Sequence, residues 1–303
     1  MKYIKLFQTE AEREAAVLER PYVVYTKEMD RLEIEDEYPI TSAKNSALMS
    51  LCYSQGWSEN ETYMTKEECA SVSDAQLAAT VVSSASSFTA VRSFKELVYF
   101  TGITSIPVNC FKNCTLLSNI VLPDNITSIG DSAFEGCTGF NNREIKMPSN
   151  LKSVGTKAFY NVSLSKIVFP ESCTYYGQKS TYNVLRLDMS ATKISSPSGE
   201  QYSDPLWVKL PSTCTSIGQA NSIGRTKTKS WLWIDATTPP AATGYYSTIY
   251  SNVRVYVPDG YENVYKSSSA LIAIGGATWA SIASRIYSQS QWESDVSNGY
   301  INI

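Results

Sequence analysis

Leu117-Ser-Asn-Ile-Val-Leu-Pro-Asp-Asn-Ile-Thr-Ser-Ile-Gly-Asp-Ser-Ala-Phe-Glu-Gly-Cys137 is one copy of a sentence that the chain repeats about three times. The copy before it holds Ile103-Thr-Ser-Ile-Pro107 and Cys110-Phe-Lys-Asn-Cys114. The copy after it holds Leu151-Lys-Ser-Val-Gly155 and Ala158-Phe-Tyr-Asn-Val162. Ile106, Ile129 and Val154 are equivalent, as are Phe111, Phe134 and Phe159, at steps of 23 and then 25 residues. Between these units lies a short apolar run ending in proline: Ile120-Val-Leu-Pro123, Ile145-Lys-Met-Pro148 and Ile167-Val-Phe-Pro170. A fixed period in this range denotes a solenoid, in which each unit buries its apolar side only by stacking on its neighbours.

The details follow from that reading. In each run the residues flanking the middle one, such as Ile120 and Leu122, point inward and stack on their equivalents. The proline ends the strand because it has no N–H for the ladder. Thr-Ser-Ile-Gly then turns the chain, with Gly130, Gly155, Gly177 and Gly218 free to take positive φ. The Phe-x-x-Cys pair closes the convex side. Cys114 and Cys137 share the slot that Val162 fills in the next unit, so they read as small buried hydrophobes.

The unit resembles the BspA-like family of leucine-rich repeats, whose pattern runs roughly L-x-x-I-x-I-P-x-x-V-T-S-I-G-x-x-A-F-x-x-C. The resemblance covers about Ser93 to Tyr265. It implies an α/β solenoid of BspA-type repeats with short parallel strands and helical caps, about six to eight strands between residues 95 and 258. It also implies a role in adhesion or recognition, as in proteins of gut bacteria, their prophages and mucosal parasites.

Composition narrows the chemistry. The 303-residue chain is long enough for a sizeable core, and a net charge of −3 predicts no general affinity for nucleic acid. There is no histidine, which removes Ser/His/Asp, Cys/His and imidazole-metal sites. Seven cysteines, at 52, 69, 110, 114, 137, 173 and 214, include no C-x-x-C pair, so reduced core thiols are expected and no metal site. No glycine-rich phosphate loop is present, since Gly275-Gly276 lacks the following Lys-Ser/Thr. The acidic run Glu33 to Glu37 reads as a solvated hairpin edge. The expectation is a protein without catalysis or cofactor. No run approaches the ~18 apolar residues of a membrane helix. The opening lacks the roughly 7–15-residue apolar core of a secretory leader, which implies a chain that does not use the general secretory route.

Four regions follow in order. Residues 1–40 hold 16 of the chain's charges, against 39 in the remaining 263 residues. Tyr3–Phe7 suits a strand, Thr9 and Glu12 a capped helix running to about Glu19, and Pro21–Tyr25 with Arg31–Glu35 a hairpin. This β-α-β-β element is too small for a core of its own and reads as an anchoring or docking piece, against this chain or another subunit. It resembles the openings of structural or tail-associated proteins of phages and prophages. Residues 41–93 read as a helical N-terminal cap: one helix buries Leu48, Leu51 and Cys52 before Gly56, Thr65 and Glu68 cap a second, and Asp74–Thr80 supplies a third. Val81–Ala90 reads as a loop or weak strand, and Ser93 with Glu96 as the cap of a last helix ending near Phe100. The solenoid proper occupies 94–258. Residues 259–303 resemble the family's helical C-terminal cap, with helices at 258–266 and Trp279–Tyr287 separated by Gly275-Gly276.

Outward strand positions supply the candidate site. The early rungs are mixed, with Asn119, Val121, Glu144, Lys146, Lys166 and Val168. The later ones combine rings and cations. Arg186, Lys209, Trp233 and Tyr256 are expected to form a continuous ladder, flanked by Trp207, Trp231 and Arg254. Rings beside cations suit a cell-surface protein or glycan, an acidic glycan or extended peptide in particular. The competing reading has Trp231 or Trp233 merely packed beneath a loop or the C-terminal cap. Two roles stay open. One is a phage- or prophage-type virion protein that recognises a host surface and assembles through residues 1–40; the other is a bacterial adhesin at the cell surface, acting alone.

Overall fold

The computed structural model describes residues 3–7, 22–26, 31–33, 38–195, 207–217, 222–223, 229–242, 248–249, 252–270 and 278–298. The expectations placed on Gly218 and Gly275-Gly276 lie outside these residues.

Repetition becomes two parallel ladders. The front sheet has seven strands in chain order: Arg143–Glu144, Leu164–Val168, Arg186–Asp188, Trp207–Leu210, Ser230–Ile234, Val253–Val257 and Ile286–Ser288. The back ladder stacks Ser105–Ile106, Ser128–Ile129, Ser153–Val154 and Tyr175–Tyr176. Before the front sheet, Ser93–Phe94 pairs with Asn119–Ile120, also in parallel.

Side chains fill the space between the ladders in columns. Ile167, Leu187, Val208, Leu232, Val255 and Ile286 follow one another in register along the front sheet, all buried. Phe111, Phe134 and Phe159 stack with centroids 5.1 and 5.2 Å apart and ring planes 15° and 2° from parallel. The turns carry their own ladder: the amides of Phe111, Phe134 and Phe159 donate to Ala133, Ala158 and Ser180, at 2.7, 2.8 and 2.7 Å. Buried backbone groups are thus paired from rung to rung, as they must be away from water.

The turn glycines act differently from the expectation. Gly130, Gly155 and Gly177 do not have positive φ; Ser132, Lys157 and Lys179, two residues later, do (φ 54°, 55° and 55°). A Cβ on Gly155 would lie 2.5 Å from the Asp131 amide nitrogen, and one on Gly130 would lie 2.6 Å from that of Val108. Close approach between rungs, not backbone conformation, requires glycine there. Asn109, Asn113, Asn161 and Asn183 occupy other left-handed positions, where a short amide side chain is tolerated best.

At the N-terminal end the helices Ser46–Ser54, Lys66–Ser71 and Asp74–Ala79 form where three helices are expected, and Thr65 with Glu68 makes the expected capping box. Ser93 does not cap a helix. Ser93 and Phe94 form a strand in register with Asn119 and Ile120, and a 3₁₀ turn follows over Lys95–Tyr99. Phe88 lies 4.8 Å from Phe111 at the head of the phenylalanine stack, so the repeat pattern begins one unit before its clearest copies. Val81–Val82 and Ala85–Ser86 pair as a small hairpin. The exposed ladder ends are then covered. The Asn45 amide donates to the Ser93 carbonyl at 2.7 Å. The Asp74 carboxylate accepts from the Thr104 and Ser105 amides at 2.7 and 3.0 Å. Such covering removes a strand edge from solvent.

The C-terminal end departs further from expectation. Glu262–Lys266 is a helix, but Trp279–Tyr287 is not. Ala280–Arg285 is a 3₁₀ turn, Ile286–Ser288 joins the front sheet, and the final helix is Gln289–Ser297. Trp279 and Tyr265 close the core below, donating to the Pro240 and Ala236 carbonyls at 2.8 and 2.7 Å. Far upstream, Tyr3–Phe7, Tyr22–Thr26 and Arg31–Glu33 form a three-stranded sheet of their own, the first pair parallel and the second antiparallel. The expected helix between the first two strands lies outside the described residues.

Candidate functional site

Strand register decides which residues meet on the outer side of the front sheet. One column runs Glu144, Lys166, Arg186, Trp207, Trp231, Arg254. The other runs Val168, Asp188, Lys209, Trp233, Tyr256, Tyr287. Arg186 therefore stands beside Trp207, and the expected ladder of Arg186, Lys209, Trp233 and Tyr256 does not form as drawn. Lys209, Trp233 and Tyr256 do share a column, but Asp188 takes the place given to Arg186. The signal was present: with Leu187 and Met189 facing in, alternation puts Asp188 outward beside Arg186.

The later rungs are also closed. Trp207, Trp231 and Tyr256 are 3%, 6% and 0% exposed and form with Trp292 a cluster separate from the main core. The helix Gln289–Ser297 supplies Trp292, whose ring stands edge-on to Trp233 at 5.2 Å and to Tyr256 at 5.0 Å. One turn on, Asp295 accepts from the Tyr256 hydroxyl at 2.5 Å, Arg254 at 3.0 Å and Gln291 at 2.9 Å. Burial works against the Asp295 charge. The bonds from Tyr256 and Gln291 and the Arg254 cation outweigh it, holding the carboxyl below its usual range. The Tyr256 hydroxyl is pushed up by burial and by its bond to Asp295.

Lys209 sits at the margin of this closed patch. Its ammonium lies 4.8 Å from the Trp233 ring centre, 5.8 Å from that of Trp207 and 3.9 Å from Asp188. The half-buried Trp233 donates its indole N–H to Asp235 at 2.5 Å. Of the residues the sequence singled out, Trp233, Tyr256 and Arg254 are thus joined to the C-terminal helix. Arg186 lies just outside the patch.

What stays open is the early part of the same face. Val168 is 46% exposed, and Arg143, Glu144 and Lys146 on the rung before it are exposed too. Val121, at the end of the two-stranded ladder that precedes the front sheet, is 42% exposed. Pairing between Arg143–Glu144 and Leu164–Val168 breaks register by one residue: Arg143 faces Leu164, whereas Glu144 faces Lys166. Such a bulge bends a strand away from its partner. Beyond it lies a cleft of 520 Å³, with Lys146, Met147 and Ser149 on one wall and Lys166, Val168 and Phe169 on the other. The sequence reading missed this cleft. Its trace is the step of 25 residues instead of 23, which accommodates a buried Phe140 and two left-handed residues, Asn141 and Asn142, just before Arg143.

Reactive chemistry is not concentrated in the cleft. All seven thiols are buried and unpaired. Burial pushes Cys114 and Cys173 up to about 11 and Cys69 and Cys214 up to about 12, far from the thiolate a nucleophile needs. Among the described residues no group of His, Cys, Asp and Glu is placed to hold a metal ion, and no helix is long and apolar enough to cross a membrane.

The family comparison agrees with the repeat geometry. The profile of the BspA type leucine rich repeat region matches in six copies, over residues 67–187 and 104–221. Among solved structures, the chain is similar to a leucine-rich repeat protein from Bacteroides ovatus at 18% identity and a TM-score of 0.32. The similarity covers 52% of this chain and 53% of that one, so the chain spans about half the length of that protein. No curated protein matches.

Proposed function

Because the chain belongs to the family of BspA-type leucine-rich repeat proteins, we propose that it is a non-catalytic recognition module of the adhesin type. It holds a protein ligand on the open rungs at the start of its front sheet and on the short ladder just before it. The observation that carries this reading is the contrast along one face. Exposed Val121 and Val168 stand among Arg143, Glu144, Lys146 and Lys166 at and just before the bulged rungs, while the aromatic rungs beyond are covered by the chain's own helix. Apolar surface ringed by charge on a rigid sheet is the usual make-up of a protein-binding patch. Buried thiols and a sequence without histidine support the absence of catalysis.

The reading extends to residues 1–40, whose strands Tyr3–Phe7, Tyr22–Thr26 and Arg31–Glu33 pair with one another and, among the described residues, with no other strand. That separation, with the resemblance of this segment to phage and prophage structural proteins, supports a docking element that seats the module on a virion or another subunit. The family assignment alone serves equally for a bacterial surface adhesin acting by itself. Native mass measurement of the full chain separates the two, a defined homo-oligomer favouring the first and a monomer the second.

The recognition role is tested with Val121→Arg/Val168→Arg in the full chain, screened against purified cell-surface and extracellular-matrix proteins. A partner captured by the wild type should be lost in the variant, with the melting temperature unchanged. Capture that survives both substitutions overturns the assignment to this face.

A further inference from the structure

We propose that the cleft beyond the Glu144–Lys166 bulge takes an extended, acidic segment of the protein partner, with a carboxylate set against Lys146 and Lys166 and an apolar neighbour resting on Met147, Val168 and Phe169. The inference rests on the recognition role argued above and names the chemistry of the partner at that site.

Shape is the first argument. The walls follow two rungs lengthwise, from Glu144 to Ser149 on one side and from Lys166 to Pro170 on the other. Five or six residues of strand span about 16–20 Å at the usual rise. An extended chain of similar length fits such a trough. The floor and walls are apolar at Ile145, Met147 and Phe169, with Val168 exposed at the rim. Alternate side chains of an extended segment would thus meet apolar surface and charge in turn.

Charge is the second argument, and the face supplies its own precedent. Arg254 is neutralised by Asp295 at 3.0 Å, and Lys209 by Asp188 at 3.9 Å. The Arg254 acid is delivered by a separate segment laid across the sheet, the helix Gln289–Ser297, together with an apolar anchor, Trp292. Lys146, Lys166 and Arg186 have no acid so close: among the described residues no ion pair within 4.0 Å joins any of them to a carboxylate. The acid whose charge Lys146 does reach, Asp124, is held first by the amide and hydroxyl of Ser149 and only then by that cation. Glu144 is the one acid lining the cleft, against two lysines. Arg186, next to Lys166 in register, also buries an Nε–H that has no hydrogen-bond acceptor among the described residues. A partner bringing a carboxylate and an apolar side chain would repeat at the open end what the C-terminal helix does at the closed end.

The experiment measures fluorescence anisotropy of labelled, end-capped octapeptides on the full chain: alternating Val-Glu, alternating Val-Gln, and a labelled oligogalacturonate as an acidic glycan. The Val-Glu peptide should bind about tenfold or more tighter than Val-Gln, a difference of the size that charge complementarity supplies. Lys146→Glu/Lys166→Glu should abolish that preference, whereas Lys95→Glu, on the 3₁₀ turn Lys95–Tyr99 away from the cleft, should keep it. Equal binding of the two peptides, preference for the oligogalacturonate, or a preference that survives Lys146→Glu/Lys166→Glu overturns the proposal. If both peptides bind equally and Val121→Arg/Val168→Arg still blocks them, only the acidic assignment fails. If no open-face substitution alters peptide binding, the recognition face itself is misplaced.

Discussion

The two ends of the front sheet are built from the same repeat, yet one is finished and the other is open. At the closed end, rings and cations project outward from the rungs of Trp207, Trp231 and Arg254, and the helix Gln289–Ser297 covers them with Trp292 and Asp295. At the open end, Val121, Lys146, Lys166 and Val168 project from equivalent positions with nothing of this kind over them among the described residues. The difference teaches that outward-facing aromatics in a solenoid are not by themselves a ligand site. Large rings lose much when left in water and are the first residues an intramolecular segment will cover. Smaller apolar residues among charges can stay exposed at little cost, and so remain available to a partner.

The comparison requires that both ends rest on one continuous stacked core, and the largest expected effect tests that. Phe134 is fully buried between Phe111 and Phe159, so Phe134→Ala should destabilise the fold by about 3–5 kcal/mol in chemical denaturation. A loss below about 1 kcal/mol would break the assigned register of the repeats.

Trp292→Ala tests the closed end. It should cost about 3 kcal/mol, toward the lower end for a buried ring, since Trp292 anchors a cluster at the sheet surface. It should also expose Tyr256 and Trp233, seen as a red shift in tryptophan emission and increased quenching by iodide. A change confined to stability, with no new exposure, would show that the rings are covered by something else.

Acid gives a smaller effect on the same contact. The Asp295 carboxyl is held below its ordinary value in the folded chain. It therefore contributes stability above the unfolded value of about 3.9, and that contribution is lost as pH falls through the folded value. Acidification below about pH 4 should loosen the helix against Arg254 and Tyr256. Emission should follow this change in the wild type, while Asp295→Asn should show it already at neutral pH. Identical pH profiles for the two would remove Asp295 from the contact.

The solenoid was legible in the sequence because stacking imposes a period: Ile106, Ile129 and Val154 could be aligned by eye, and the structure pairs them in register. Capping was legible where it is local, as at Thr65 and Glu68. Ser93 and Glu96 carried the same local signal, but stacking of Phe94 over Ile120 prevailed and the segment is a strand. The closed end was illegible for the opposite reason. The contact of Trp292 with Trp233 and Tyr256 joins residues far apart in the chain, and the final helix lacks the dense apolar face that marks a core helix. The cleft depended on a one-residue register break at Glu144, for which the sequence holds only a longer repeat and the pair Asn141-Asn142.

The contrast between the two ends is tested most directly by hydroxyl-radical footprinting of the full chain, with each residue's rate referred to its own rate in the unfolded chain. The account predicts that Val121 and Val168 react at a substantial fraction of their unfolded rates, whereas Trp231 and Tyr256 are protected nearly as well as Phe134. Modification of Trp231 and Tyr256 at rates comparable to Val168 would contradict it, and would place the recognition face back on the aromatic rungs.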